Sequence, residues 1–148
     1  MEASIAAARE PDTGELIVMM RDFYAELGEP FAAERAERAL RALLDDPSHG
    51  AAWILRADGR AVGYLIITHG YSLEFGGRLA VVDEVYAVPE MRGQGLGAQA
   101  LALAEEHCRR HGIAALRLEV HHENRRAMEL YERHGFAAHD RHLMTKWL

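Results

Sequence analysis

Arg92-Gly93-Gln94-Gly95-Leu96-Gly97 is the segment whose residue types and spacing point most sharply to chemistry. Glycines at alternate positions permit backbone angles that a Cβ forbids and let the main chain come close to a ligand. An apolar-periodic helix begins at the end of the segment, so several N–H groups at its N-terminus can converge on an anion. Arg92 adds a guanidinium whose fork matches phosphate oxygens. The chemistry suggested is a pyrophosphate cradle. A plain strand-to-helix turn would use the same residues. A nucleoside-triphosphate loop ends in Gly-Lys-Ser or Gly-Lys-Thr, whereas Ala98 and Gln99 follow Gly97 here. A dinucleotide loop opens the first strand–helix unit and is followed, about 20 residues on, by an acid. This loop comes late in the chain, although Glu119 lies near that distance, so the dinucleotide alternative stays open.

The elements that must hold this loop follow from periodicity. A short strand over 4–9 precedes Asp12-Thr13-Gly14-Glu15, a helix start in which Asp12 or Thr13 can cap free N–H groups. Leu16, Ile17, Met20, Phe23, Tyr24 and Leu27 recur at helical spacing up to Gly28. A second helix is predicted over 31–44, with Ala36, Leu40, Leu43 and Leu44 on one face, and Asp45-Asp46-Pro47 ends it. The period then changes. Residues 52–57 and 61–68 read as strands joined by a tight turn at Asp58-Gly59, and 79–88 reads as a long strand closed by Pro89. Helices are expected over 95–111 and 124–134, stopped by Gly112 and Gly135, with a strand over 115–120 between them. The tail, 136–148, can supply two last strands. The order implies one α/β domain over 1–148, in which helices cover both faces of a mixed central sheet.

Composition removes several classes of function. Hydrophobic residues at 49% and charged residues at 27% are ordinary for a globular chain of 148 residues. No apolar run approaches the roughly 20 residues that span a bilayer, and the N-terminus lacks a secretory pattern. A net charge of -6 argues against nucleic-acid binding by bulk electrostatics and suits a cationic partner. Cys108 is the single cysteine, in keeping with a reducing cytoplasm, and it lies on an apolar helix stripe with no base beside it, a poor nucleophile. Nine histidines include His107 and His111 at i, i+4 and His121-His122 beside Glu123, but no spacing matches a zinc signature, so no metal is expected.

Two stretches in the right order resemble the GCN5-related N-acetyltransferase (GNAT) family. Asp83-Glu84-Val85-Tyr86-Ala87-Val88-Pro89-Glu90-Met91-Arg92-Gly93-Gln94-Gly95-Leu96-Gly97 is similar to the family's fourth strand and coenzyme loop. Leu118-Glu119-Val120, followed by Asn124 to Phe136 with Ala127, Leu130, Tyr131 and Gly135, is similar to its fifth strand and following helix. The element order extends the resemblance over nearly the whole chain. It implies a mostly antiparallel sheet, acetyl-CoA as cosubstrate without a metal, and direct acetyl transfer to a primary amine of a small molecule or peptide. A homodimer is compatible with it.

The resemblance also implies roles. Main-chain groups of Val85, Tyr86 and Ala87 would hold the pantetheine arm, and the first and third of these serve equally as strand core. Arg92 to Gly97 would hold the pyrophosphate. Asn124 would hold the pantetheine chain, or simply cap its helix. Tyr131 would be the general acid, where a core tyrosine is the plainer alternative. Asp83 is the first candidate for general base because it shares strand parity with Val85 and Ala87. Glu119 is the second, and an amine arriving neutral would need none. Glu84, of opposite parity, is expected to be structural or solvated. Tyr24 and Phe31 could line the acceptor wall, and Glu74, in the loop before the fourth strand, could favour a cationic amine. Two rivals remain at this level: a non-catalytic acyl-CoA-binding sensor or interaction module, and a nucleotide-binding domain using the same loop.

Overall fold

The computed structural model describes residues 3–148, and alternation of side chains along each strand divides the protein into two apolar layers around a sheet. The elements are β1 (Ala3–Ala7), α1 (Thr13–Leu27), α2 (Ala33–Asp45), β2 (Gly50–Ala57), β3 (Arg60–Ser72), β4 (Gly77–Ala87), α3 (Leu96–Arg110), β5 (Ala115–Leu118) and α4 (Arg125–Arg133). Single 3-10 turns, Glu10–Asp12 and Pro89–Met91, precede α1 and follow β4. The strands lie in the order β1-β2-β3-β4-β5. Pairing is antiparallel from β1 to β4 and parallel between β4 and β5. The expected mixed, mostly antiparallel sheet with helices on both faces is what forms.

Side-chain parity decides which helix meets which face. Ala52, Ile54, Tyr64, Ile66 and Tyr86 pack with Leu16, Ile17, Met20 and Leu40 of α1 and α2. Trp53, Leu65, Ile67, Ala80 and Val82 pack with Ala100, Leu101, Ala104 and Cys108 of α3, and Leu130 and Tyr131 of α4 lie against this second layer. Tyr64, Leu65, Ile67, Leu16 and Leu101 are among the largest fully buried side chains. Each contributes about 1.5–3 kcal/mol by leaving water.

Turn chemistry agrees with the sequence at the β2–β3 hairpin, where Asp58 and Gly59 both adopt positive φ, 50° and 79°. Two local expectations differ. Asp12 accepts a hydrogen bond from the Arg9 N–H at 2.8 Å, and the Thr13 hydroxyl donates to the Glu10 carbonyl at 2.7 Å. Both side chains thus close the preceding turn, and neither caps α1. The tail forms no strand. Arg141 bonds both oxygens of Glu74, and Arg35 lies 4.6 Å from the centre of the Trp147 ring, so side-chain contacts rather than ladder hydrogen bonds hold it.

His107 and His111, the i, i+4 pair at the end of α3, pack with His69 of β3. His107 of α3 is buried, with Trp53 edge-on at 5.2 Å and His69 of β3 stacked at 5.2 Å. The His69 and His107 Nε2 atoms are 3.0 Å apart, so one donates and the other accepts. Among the described residues no group of three His, Cys, Asp or Glu side chains could hold a metal ion.

Burial, helped by His111 and His69, lowers the His107 pKa from 6.5 to about 4. Between those values the unfolded chain binds a proton that the folded protein refuses, so folding stability falls as pH drops through that window. The melting temperature should fall between pH 7 and pH 4.5, and His107→Gln should flatten that slope in differential scanning calorimetry. A variant with the native slope would remove His107 from the cause.

Candidate active site

A bulge in β4 sets the geometry of the site. Ile66 of β3 pairs with Glu84 and Ile67 with Val82, leaving Asp83 as an extra residue. The pleat is reset there. Val82 and Val85, three apart, both pack toward α3, while Glu84 and Tyr86 turn toward α1 and α2. Asp83 is the bulged residue, so the alternation from which its parity with Val85 and Ala87 was read is interrupted at that position. Asp83 instead lies close enough to Glu84 and Tyr24 to raise the pKa of both.

At the same point β4 and β5 part company. Their parallel pairing runs from Leu79 and Ala115 to Val82 and Leu118 and then stops. β4 continues to Ala87, so residues 83–87 present a main-chain edge with no partner strand on the β5 side. Such an edge is free to accept an extended chain that hydrogen-bonds like an added strand. Val85 and Ala87 are half-buried and Tyr86 is buried among Phe23 and Tyr64.

The glycine segment follows after the 3-10 turn. Gly93 and Gly95 adopt φ of 76° and 85°, a region that a side chain would strain. No side chain caps α3, and the N–H groups of Gly93, Gln94 and Gly95 donate to no acceptor among the described residues. A Cβ on Gly97 would come within 3.1 Å of Leu130, so glycine there lets α4 pack closely against the start of α3. A Cβ on Gly93 would come within 3.2 Å of the Arg126 guanidinium. Arg92 is differently engaged from expectation. Its Nη2 donates to both oxygens of Glu26 at 2.7 and 2.8 Å, and its Nε donates to the Ala87 carbonyl at 2.9 Å. Its fork is thus closed on a carboxylate of α1, and Arg126, which the sequence reading did not single out, is the cation over the loop. The Gln94 side chain donates to the Glu90 carbonyl, and Leu96 is buried beneath. Convergent free N–H groups and an open strand edge fit a phosphorylated, extended ligand such as coenzyme A.

A cleft of about 1670 Å³ opens beside the parted strands. Tyr24, Phe31, Glu74, Asp83, Glu84, Val85, Glu119, Asn124 and Tyr131 all line it; the glycine segment lies outside its walls. Tyr131 packs edge-on against Phe136, and among the described residues nothing hydrogen-bonds its hydroxyl. Burial raises its pKa, so the hydroxyl keeps its proton near neutral pH. Asn124 caps α4, its side chain accepting the Ala127 N–H at 3.2 Å. Glu119 is exposed just beyond β5. Glu74 is held by Arg141, which lowers its pKa, so it is not a free carboxylate awaiting an amine.

Glu84 is half-buried and hydrogen-bonded rather than solvated. It accepts the Tyr24 hydroxyl at 2.6 Å and the Tyr64 hydroxyl at 2.8 Å, and it lines the cleft. Burial raises its pKa, the two tyrosine hydrogen bonds oppose that, and Asp83 adds to it. Desolvation also raises the pKa of Asp83, although its side chain reaches the solvent of the cleft. No cation forms an ion pair with either carboxyl among the described residues.

Comparison with known proteins turns this arrangement into a class. Residues 17–136 match the family model described as the acetyltransferase (GNAT) family. The chain belongs to that family. Its members named as enzymes transfer an acetyl group to an amine, and this GNAT chain is an N-acetyltransferase of that class. It is 32% identical over 141 residues to a thialysine N-epsilon-acetyltransferase of Bos taurus, covering 88% of this chain and 82% of that one. It is 27% identical over 135 residues to an uncharacterized N-acetyltransferase of Bacillus subtilis, YhfO, covering 91% and 85%. An integron cassette protein from a salt-marsh metagenome superposes with a TM-score of 0.86 at 34% identity, covering 97% of this chain and 90% of that one. The aminoglycoside N-acetyltransferase AAC(6')-Iy, solved with CoA, shares the fold with a TM-score of 0.85 at 15% identity, covering 99% and 95%.

In this GNAT chain the Tyr24 hydrogen bond lowers the pKa of Glu84. Tyr24→Phe should therefore move the Glu84 titration to higher pH in carbon-13 carboxyl spectra. An unmoved titration would show that the 2.6 Å contact does not govern that carboxyl.

Proposed function

We propose that the protein is a cytoplasmic, acetyl-CoA-dependent enzyme that acetylates the primary amine of a small molecule or peptide by direct transfer, without a covalent enzyme intermediate. The observation that carries this reading is the junction of an unpaired β4 edge, a glycine segment with free N–H groups, and Tyr131 lining the adjoining cleft. Bound there, acetyl-CoA supplies the acetyl group as a thioester, whose C–S bond is exchanged for a bond to the amine nitrogen. The main chain of Val85, Tyr86 and Ala87 holds and orients the pantetheine arm. The N–H groups of Gly93 to Gly97 hold the pyrophosphate. Asn124, while capping α4, turns its remaining amide donors to the same arm. Tyr131 donates the proton that turns the leaving thiolate into a thiol, a task suited to a hydroxyl kept protonated by burial.

Proton removal from the amine falls to the carboxyls on β4. A carboxyl with a raised pKa has more affinity for a proton, and Asp83 and Glu84 share that property. Glu84 is oriented by its two tyrosine donors, and Asp83 reaches the solvent of the cleft, where a water can relay the proton. Glu119 stands on the β5 side of the cleft as the alternative base. The relatives named for thialysine and for aminoalkylphosphonate acetylation, the latter from Salmonella typhimurium, support a small-molecule amine as acceptor. Cys108 has no part in the chemistry, since burial in the α3 layer raises its pKa and hides its thiol.

Calorimetric titration should give micromolar binding of acetyl-CoA and none of ATP or NAD; a preference for either nucleotide would refute the coenzyme assignment. Tyr131→Phe should lower kcat for thiol release by about 100-fold or more with little change in the KM for acetyl-CoA. An unchanged kcat would favour the non-catalytic acyl-CoA-binding alternative.

A further inference from the structure

Among the charges of the cleft that form no ion pair among the described residues, two of opposite sign sit apart on one face of the sheet. The negative one is the Asp83–Glu84 pair of β4, beyond the point where the strands part, with no ion-pair partner among the described residues. The positive one is on β5. Leu116 and Leu118 point into the α3 layer, so Arg117 between them points to the opposite face, the face to which Glu84 turns. Arg117 is exposed, lines the cleft, and lies 5.6 Å from the centre of the Phe75 ring with no carboxylate bonded to it among the described residues.

Its surroundings make that positive charge a surplus. Glu74 is the nearby acid, and Arg141 already holds both of its oxygens, with Arg117 adding a weaker pull on the same carboxyl. One carboxylate therefore faces two guanidiniums at this rim, in a protein whose net charge is -6. Arg117 does not meet the other pair because the parallel register sets it opposite Val81, before the bulge, and the strands separate two residues later. Phe75 under the guanidinium and the Tyr24–Phe31 pair, 5.3 Å apart, give apolar wall to the cleft.

We propose that the acceptor is a zwitterion, an aliphatic amino acid whose primary amine lies at the Asp83–Glu84 pair and whose terminal carboxylate binds Arg117. The inference rests on the acetyltransferase reading above and names the substrate class of the same site. Arg117 acts as the specificity-determining residue, its fork matching a carboxylate in a way that an ammonium cannot.

The test uses the purified protein with acetyl-CoA and two acceptor series of three to six carbons: ω-amino carboxylates, and alkylamines of equal length. The amino acids should be acetylated with kcat/KM at least about tenfold above their alkylamine counterparts. Arg117→Gln should raise KM for the amino acids about tenfold or more while leaving kcat, and all constants for the alkylamines, near the native values. Arg117→Lys should recover part of the loss. Calorimetry of the protein saturated with CoA should show amino-acid binding that Arg117→Gln abolishes. Equal use of the two series, transfer to alkylamines alone, or an Arg117→Gln effect common to both series overturns the proposal. Use of neither series by a protein that binds acetyl-CoA overturns it as well. Failure to bind acetyl-CoA at all marks the failure of the underlying reading instead.

Discussion

The bulge at Asp83 does two things to the central strand. It turns Glu84 and Tyr86 toward the layer of α1 and α2 while returning Val85 to the layer of α3. It also coincides with the end of pairing between β4 and β5. One inserted residue thereby creates a strand edge with free main-chain groups and brings two carboxyls to the cleft beside it. Bulges bend a strand and interrupt its ladder, which is why they suit sites where a backbone must be re-aimed.

The surrounding layers make this interruption tolerable. β3 pairs with β4 on both sides of the bulge, and its residues Tyr64, Leu65, Ile66 and Ile67 are buried. The cost of placing a carboxyl beside this core is offset by hydrogen bonds, since an unpartnered buried charge would be far less favourable. Tyr24 from α1 and Tyr64 from β3 supply those donors, and the edge-on contacts of Phe23 with both rings hold them in place. The first helix thus builds a wall of the cleft and also tunes the acid at its floor.

Arginines distribute the remaining roles by the partners that they find. Arg92 ties the strand end to α1 through Glu26, and its guanidinium lies 5.5 Å from the Tyr86 ring centre. Arg141 fastens the tail to the loop before β4. Arg126 and Arg117 keep no such carboxylate among the described residues, one over the glycine segment and one in the cleft. Exposed ion pairs contribute little stability, so the value of the paired arginines lies chiefly in fixing which cations are left for a ligand.

What was legible in the sequence is what short stretches of chain determine. Helical and alternating periods located every element of the sheet and both layers, Asp58-Gly59 marked the hairpin, and the glycine segment marked the start of α3. Those features depend on φ restrictions and on burial of one face, and a few neighbouring residues decide them. The rest required the folded protein. The phase of β4 at Asp83 depends on its register with β3; Glu84 finds its donors 60 and 20 positions earlier, Arg92 its carboxylate 66 positions earlier, and Glu74 its guanidinium 67 positions later. The tail read as strands has strand-like residues, but side-chain contacts across the cleft hold it instead. Residue types and local spacing specified the candidates, and only tertiary distance, which no local period encodes, decided which charges would be paired and which would stay open to a ligand.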